Sequence, residues 1–89
     1  MKENSRKKRI ESILKKNFSP TTLLVRDDSK KHEGHSEVSR NVKETHFFVK
    51  MVLNNYTITK VDLHRKVYKL LDKEFSRGLH ALELDLKST

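Results

Sequence analysis

The hydrophobic positions of the chain change period several times. Ile10, Ile13, Leu14 and Phe18 stand at i, i+3, i+4 and i+8. That is the spacing of one apolar stripe on a helix, and it predicts a helix over roughly residues 4–17. Asn4 or Ser5 is placed to cap it and Ser19-Pro20 to end it. Thr21 to Asp27 is β-branched and apolar and reads as a short strand. Residues 28–43 are polar, have no period and hold Gly34, one of only two glycines. They predict a long loop, and such loops in compact domains are more often functional or mobile. From Glu44 to Leu53 the residues Phe47, Val49, Met51 and Leu53 alternate with His46, Phe48, Lys50 and Val52, the pattern of a strand with one apolar face. Asn54-Asn55 is a turn signal. Thr59 to Arg77 returns to helical spacing through Val61, His64, Val67, Tyr68, Leu71 and Phe75. Gly78 then stands where a C′ glycine stops a helix. Leu79 to Leu86 alternates again, with His80, Leu82, Leu84 and Leu86 on one face. The order helix, strand, strand, helix, strand predicts an α+β sandwich, a three-stranded sheet with helices on one face.

Composition narrows this picture. A chain of 89 residues is expected to be one domain, residues 1–89, with a single thin core. Hydrophobic residues make up 34% and charged residues 36%, which suits a soluble domain. The longest apolar runs are three residues, far from the ~18 needed to span a membrane. No signal peptide is expected, because residues 1–16 contain no apolar stretch of the required length. Those residues run into the helical pattern and read as part of the fold rather than as a transit peptide. Cysteine is absent, which excludes disulfides, a thiol nucleophile and any all-cysteine zinc or iron–sulfur site. A cytoplasmic location is the expectation. A metal would have to be held by His or carboxylate, or by a partner's thiolates.

The net charge is +8, unevenly spread. Lys2, Arg6, Lys7, Lys8, Arg9, Lys15 and Lys16 face only Glu3 and Glu11 in the first sixteen residues. Such a block attracts nucleic acid or any acidic partner without naming which. It is equally the solvated face of a helix, and charge alone leaves both readings open.

Templates for catalysis are missing. A nucleophile elbow, a phosphate-cradling loop and a zincin helix all need residues that are absent. With glycine only at 34 and 78, neither GxGxxG nor the GXXG nucleic-acid clamp can be built. Asp27 and Asp28 are adjacent, so on a strand they point to opposite faces and form no carboxylate pair. No enzyme and no small-molecule substrate are expected. The histidines are the remaining chemistry. His32 and His35 flank Gly34 in the loop, either as metal ligands able to turn toward a partner's ion or as ordinary exposed residues. His80 opens the last strand, where it can expose a ring nitrogen or be satisfied by backbone. His64 lies on the apolar side of its helix and reads as structural. His46 flanks the middle strand, and its role is open.

Five segments occur together in one order: Arg9-Ile10-Glu11 with Leu14 and Phe18-Ser19-Pro20; Leu24 to Ser29 followed by His32, Gly34 and His35; Glu44-Thr45-His46-Phe47; His64-Arg65-Lys66-Val67-Tyr68; and Gly78-Leu79-His80-Ala81-Leu82. Through them the chain resembles the BolA family along nearly its whole length. The resemblance implies a KH-like α-β-β-α-α-β sandwich, with a short extra helical turn near residues 57–62. It implies pairing with a monothiol glutaredoxin and a shared [2Fe–2S] cluster, in iron–sulfur assembly, trafficking and iron regulation. On that account His80 and His32 are the ligands of this chain, with His35 able to substitute. The glutaredoxin cysteine and glutathione supply the thiolates, so the isolated chain holds no cofactor. A cysteine-free chain can complete such a His₂Cys₂ set though it cannot hold a cluster alone.

Bacterial members of the family are also described as DNA-binding transcriptional regulators in stress and morphology responses. The implied reading surface is the helix with His64 and Arg65 and the loop before it, including Lys60 and Lys66. Lys7, Lys8 and Arg9 of the basic block would add phosphate contacts. The sequence departs from the family there. The usual Phe-x-Gly and Arg-His-Arg are replaced by Tyr56-Thr57-Ile58 and Leu63-His64-Arg65, and the segment keeps few cations, which weakens DNA binding at this site.

Overall fold

The computed structural model describes residues 5–29 and 44–89. Six elements follow in order: α1 (Arg6–Phe18), β1 (Thr22–Asp27), β2 (His46–Leu53), α2 (Lys60–Leu70), α3 (Asp72–Ser76) and β3 (Ala81–Ser88). The first helix begins where Ser5 Oγ accepts the Lys8 N–H at 3.2 Å. It ends at Ser19, whose left-handed backbone (φ 46°) turns its N–H back onto the Lys15 carbonyl. Pro20 cannot continue the helix.

β2 is the middle strand of a sheet ordered β1-β2-β3. It pairs antiparallel with β1 and parallel with β3. The register aligns Val25 with Val49 and Val49 with Leu84, so one face of the sheet carries a continuous apolar row. Phe47, Val49, Met51 and Leu53 are buried on that face, together with Ile10, Leu14 and Phe18 of α1 and Leu63, Val67 and Leu71 of the second helical segment. Each such side chain contributes about 1.5–3 kcal/mol by leaving water. The other face of β2 is only half-buried. There Arg26 lies over the Phe48 ring at 4.5 Å, and Leu24 is exposed. The α+β sandwich with helices on one face is thus as the sequence predicts.

The second helical segment differs from expectation. Instead of one helix over residues 59–77 there are two, separated at Leu71 (φ −98°, ψ 11°). Leu71 stays buried across the break, and Glu74, three residues on, is buried against Arg6. The extra turn implied near residues 57–62 is not present. Thr59 is extended and accepts the Asp62 N–H at 3.1 Å, so the helix starts at Lys60. The implied helix pair is α2 and α3. The buried row is Leu63, Val67 and Leu71, whereas Val61 is 59% and Tyr68 41% exposed. Tyr68 stacks on Phe75 with ring centroids 5.7 Å apart and donates its hydroxyl to the Leu82 carbonyl at 2.7 Å, which ties α2 to β3.

Gly78 ends α3 as its sequence position predicts. Its φ of +121° is open to glycine and strained for other residues. The Leu79 N–H reaches the Glu74 carbonyl and the Gly78 N–H reaches Phe75. This closes a Schellman cap, with Leu79 buried behind it.

Candidate functional site

Parallel pairing places the starts of β2 and β3 side by side, with His46 opposite Ala81. The chain enters this corner directly from Gly78. The Thr45 carbonyl accepts both the His80 N–H at 2.8 Å and the Ala81 N–H at 3.1 Å, so His80 is fixed by its backbone just before β3. Its side chain is exposed. His46, half-buried, approaches it edge-on, with ring centroids 6.2 Å apart and planes at 64°. Thr45 Oγ1 lies 2.9 Å from His46 Nδ1. The structure therefore gives His46, whose role was open in the sequence, a place beside His80. Among the described residues no group of three or more His, Cys, Asp or Glu could hold a metal ion. The corner offers imidazole ligands that other donors would have to complete. His32 and His35 lie outside the described residues.

The cations named for nucleic acid fall in two places. On α2, Lys60 is exposed, Arg65 lies 3.6 Å from Asp62, and Lys66 reaches the Tyr56 hydroxyl at 3.4 Å. His64 is half-buried, with Nδ1 2.9 Å from the Lys60 carbonyl. A carbonyl only accepts, so Nδ1 carries the proton. On α1, Lys7 and Lys8 are exposed, but Arg9 is not a solvated charge. Its Nε and a terminal nitrogen donate to Glu74 at 2.8 and 2.9 Å.

Glu74 is the centre of a buried ionic knot. It is 2% exposed and Arg6 6%. Arg6 Nε donates to Glu74 at 2.9 Å, and its terminal nitrogens donate to the carbonyls of Arg77 and Glu44. The hydrogen bond from Arg9, with that from Arg6, holds the Glu74 carboxyl at about 2 against the opposing effect of burial. The same contact pushes the Arg9 guanidinium above its ordinary value. Arg6 belongs to the basic block of the sequence, but its burial and its bond to Glu74 make it a structural cation and neither a solvated charge nor one offered to a partner. A signal existed. Arg6 continues the row Ile10, Leu14, Phe18 by one step of four, and Glu74 continues Leu63, Val67, Leu71. A charge standing on an apolar row is one that must be matched.

The sequence model described as "BolA-like protein" matches residues 14–89. The chain belongs to the BolA family. Its BolA fold is close to that of solved relatives. BolA1 from Arabidopsis thaliana superposes with a TM-score of 0.83 at 37% identity, over 98% of this chain and 95% of that one. The BolA domain of SufE1 from the same plant gives 0.80 at 36%, with the same coverage. Among curated relatives, the chloroplastic protein BOLA1 of Arabidopsis thaliana is 38% identical over 86 residues, 94% of this chain and 54% of its own length. The SufE-like protein 1 of that plant, named chloroplastic/mitochondrial, is 38% identical over 88 residues, 94% of this chain and 24% of its own length. The chain thus spans about half and about a quarter of these two proteins. The DNA-binding transcriptional regulator BolA of Haemophilus influenzae is 33% identical over 78 residues, 86% of this chain and 71% of that protein.

Proposed function

We propose that this BolA-family chain is an adaptor that pairs with a monothiol glutaredoxin and shares a [2Fe–2S] cluster with it, in iron–sulfur assembly, trafficking and iron regulation. The observation that supports it best is the His80 corner: an exposed imidazole whose backbone is pinned at the end of the sheet. The donor set fits the group. A chain without cysteine can give imidazoles to one iron while thiolates come from glutaredoxin and glutathione. His80 is the first ligand and His32 the second, with His35 as its substitute. When bound, the cluster supplies one-electron chemistry and a transferable iron–sulfur unit. The part of this chain is to present the imidazole from a backbone held by Thr45 and turned by Gly78.

The test is the visible absorption and circular dichroism of the mixture with a cluster-loaded monothiol glutaredoxin. His80→Ala should change the spectrum most. His32→Ala should change it less, because His35 lies three residues on. The two proteins should still associate without iron. An unchanged spectrum with His80→Ala sinks the assignment and turns attention to His46.

Relatives named as DNA-binding transcriptional regulators support a second reading, DNA binding through the exposed cations. With Arg9 held by Glu74, the contribution of α1 rests on Lys7 and Lys8. Neutralising both should flatten the salt dependence of duplex binding by about two units. If Arg65→Ala alone abolished binding to one sequence, base reading by α2 would be the better account.

A further inference from the structure

Beside the knot, α1 and the α2–α3 segment leave a groove of about 380 Å³, within the range of ligand sites. Its floor is apolar, formed by the half-buried Ile13 and Leu70, and its rim is cationic, with Lys8 on one wall and Lys73 and Arg77 on the other. Lys73 and Arg77 are four apart and so share a face of the α3 turn. The one carboxylate in the lining, Glu74, is already matched by Arg6 and Arg9, and Arg77 stands 3.9 Å from it. The groove therefore keeps a net positive charge, with Lys8 on one side of an aliphatic strip and Lys73 and Arg77 on the other. None of its lining residues belongs to the histidine corner.

We infer that this groove docks a protein partner through an acidic segment that lays an aliphatic side chain on Ile13 and Leu70 and sets carboxylates against Lys8, Lys73 and Arg77. Charge complementarity requires an anionic occupant, and the floor decides which kind. A phosphate backbone gains nothing from Ile13 and Leu70, whereas an apolar side chain between two carboxylates uses floor and rim together. The rim charges set the rate and selectivity of docking, and the strip sets its register. An adaptor needs a surface for each of two partners, and this one is separate from the His80 corner.

The probe is an acetylated hexapeptide, Glu-Leu-Glu-Glu-Leu-Glu amide, titrated into the ¹⁵N-labelled protein. The control peptide has Gln for every Glu, and a 20-base-pair duplex is the competing anion. Amide shifts are expected at Ser12, Ile13, Leu70 and Arg77 with the acidic peptide and not with the Gln peptide. Lys8→Glu combined with Lys73→Glu should weaken the acidic peptide about tenfold or more, since each reversal turns attraction into repulsion. Both side chains are exposed, so melting should be little changed. Lys8→Gln with Lys73→Gln gives a milder loss in the same direction should the reversal disturb folding. Equal binding of the two peptides overturns the inference. So do shifts confined to another surface, or groove shifts produced by the duplex and not by the peptide.

Discussion

Arg6 and Glu74 carry full charges and are almost wholly buried, while His80 sits at the end of the sheet with its ring exposed. The two regions are neighbours in sequence, since Glu74 and His80 flank the same Schellman cap. In the knot each polar atom is matched. Arg6 alone reaches Glu74, Arg77 and Glu44, and no buried side-chain polar atom among the described residues lacks a partner. In the corner the backbone is pinned and the side chain is left to solvent. Charge therefore marks structure here, while the ring at the end of the sheet is left to solvent. The first holds the cap that aims the second.

The sharpest way to break the comparison is Glu74→Ala. It strands Arg6 in a buried site, which costs about 3–5 kcal/mol. At roughly 4–8 °C per kcal/mol for a domain of this size, thermal unfolding should fall by more than 10 °C. A shift of a degree or two would mean that the knot is an exposed pair.

Acid should dissolve the knot as well. The Glu74 carboxyl is depressed from 4.5 to about 2. Its contribution is therefore fully present above about pH 4.5 and is lost as pH falls toward 2. Up to about 3 kcal/mol should disappear over that window. Urea midpoints measured from pH 6 to pH 2 should fall more steeply for the natural chain than for Glu74→Gln. Parallel curves would count against the ion pairs.

Gly78→Ala should have a smaller effect, about 1–3 kcal/mol, because its φ of +121° is strained for alanine. Space is not the obstacle: an added Cβ would lie 3.6 Å from the Arg6 guanidinium, an ordinary contact. The variant should loosen knot and corner together, seen as faster hydrogen exchange at the His80 amide.

His80→Ala should be the mildest for stability, within about 0.5 kcal/mol, as for other exposed positions. If it melted like Glu74→Ala, the corner would be part of the core and the contrast would fail.

Much of the fold was legible because it is written in local spacing. Ser5, Ser19 and Gly78 announce helix ends through their own backbone chemistry, and the alternation of Phe47 to Leu53 announces the middle strand. The break at Leu71 was not legible, because the apolar period runs through it unchanged. Val61 and Tyr68 mimicked a buried stripe. Tyr68 is amphipathic enough to cover Phe75 while staying partly wet, so spacing alone did not reveal which side of α2 faces inward. His80 was legible as a residue at the start of the last strand, two positions after a glycine, although the strand itself begins one residue later at Ala81. Its neighbour His46 was not, since only the parallel register with Ala81 brings the two rings together. The division of the basic block into a structural Arg6, a paired Arg9 and exposed Lys7 and Lys8 depended on a carboxylate from the far end of the chain.

The parallel pairing of β2 with β3 also has a consequence in time. Neighbouring parallel strands cannot be joined by a tight turn, so β3 takes its place only after the α2–α3 crossover has been made and carried back over the sheet. Such long-range closure is slow compared with forming a helix. During synthesis α1, β1 and β2 leave the ribosome first, and at that stage His46 has no neighbouring ring and Leu53 no cover on its β3 side. The Thr45 carbonyl is capped only when His80 and Ala81 arrive. The corner therefore exists only once the start of β3 has docked beside β2, and a partner reading both rings would meet only chains in which that pairing has been made.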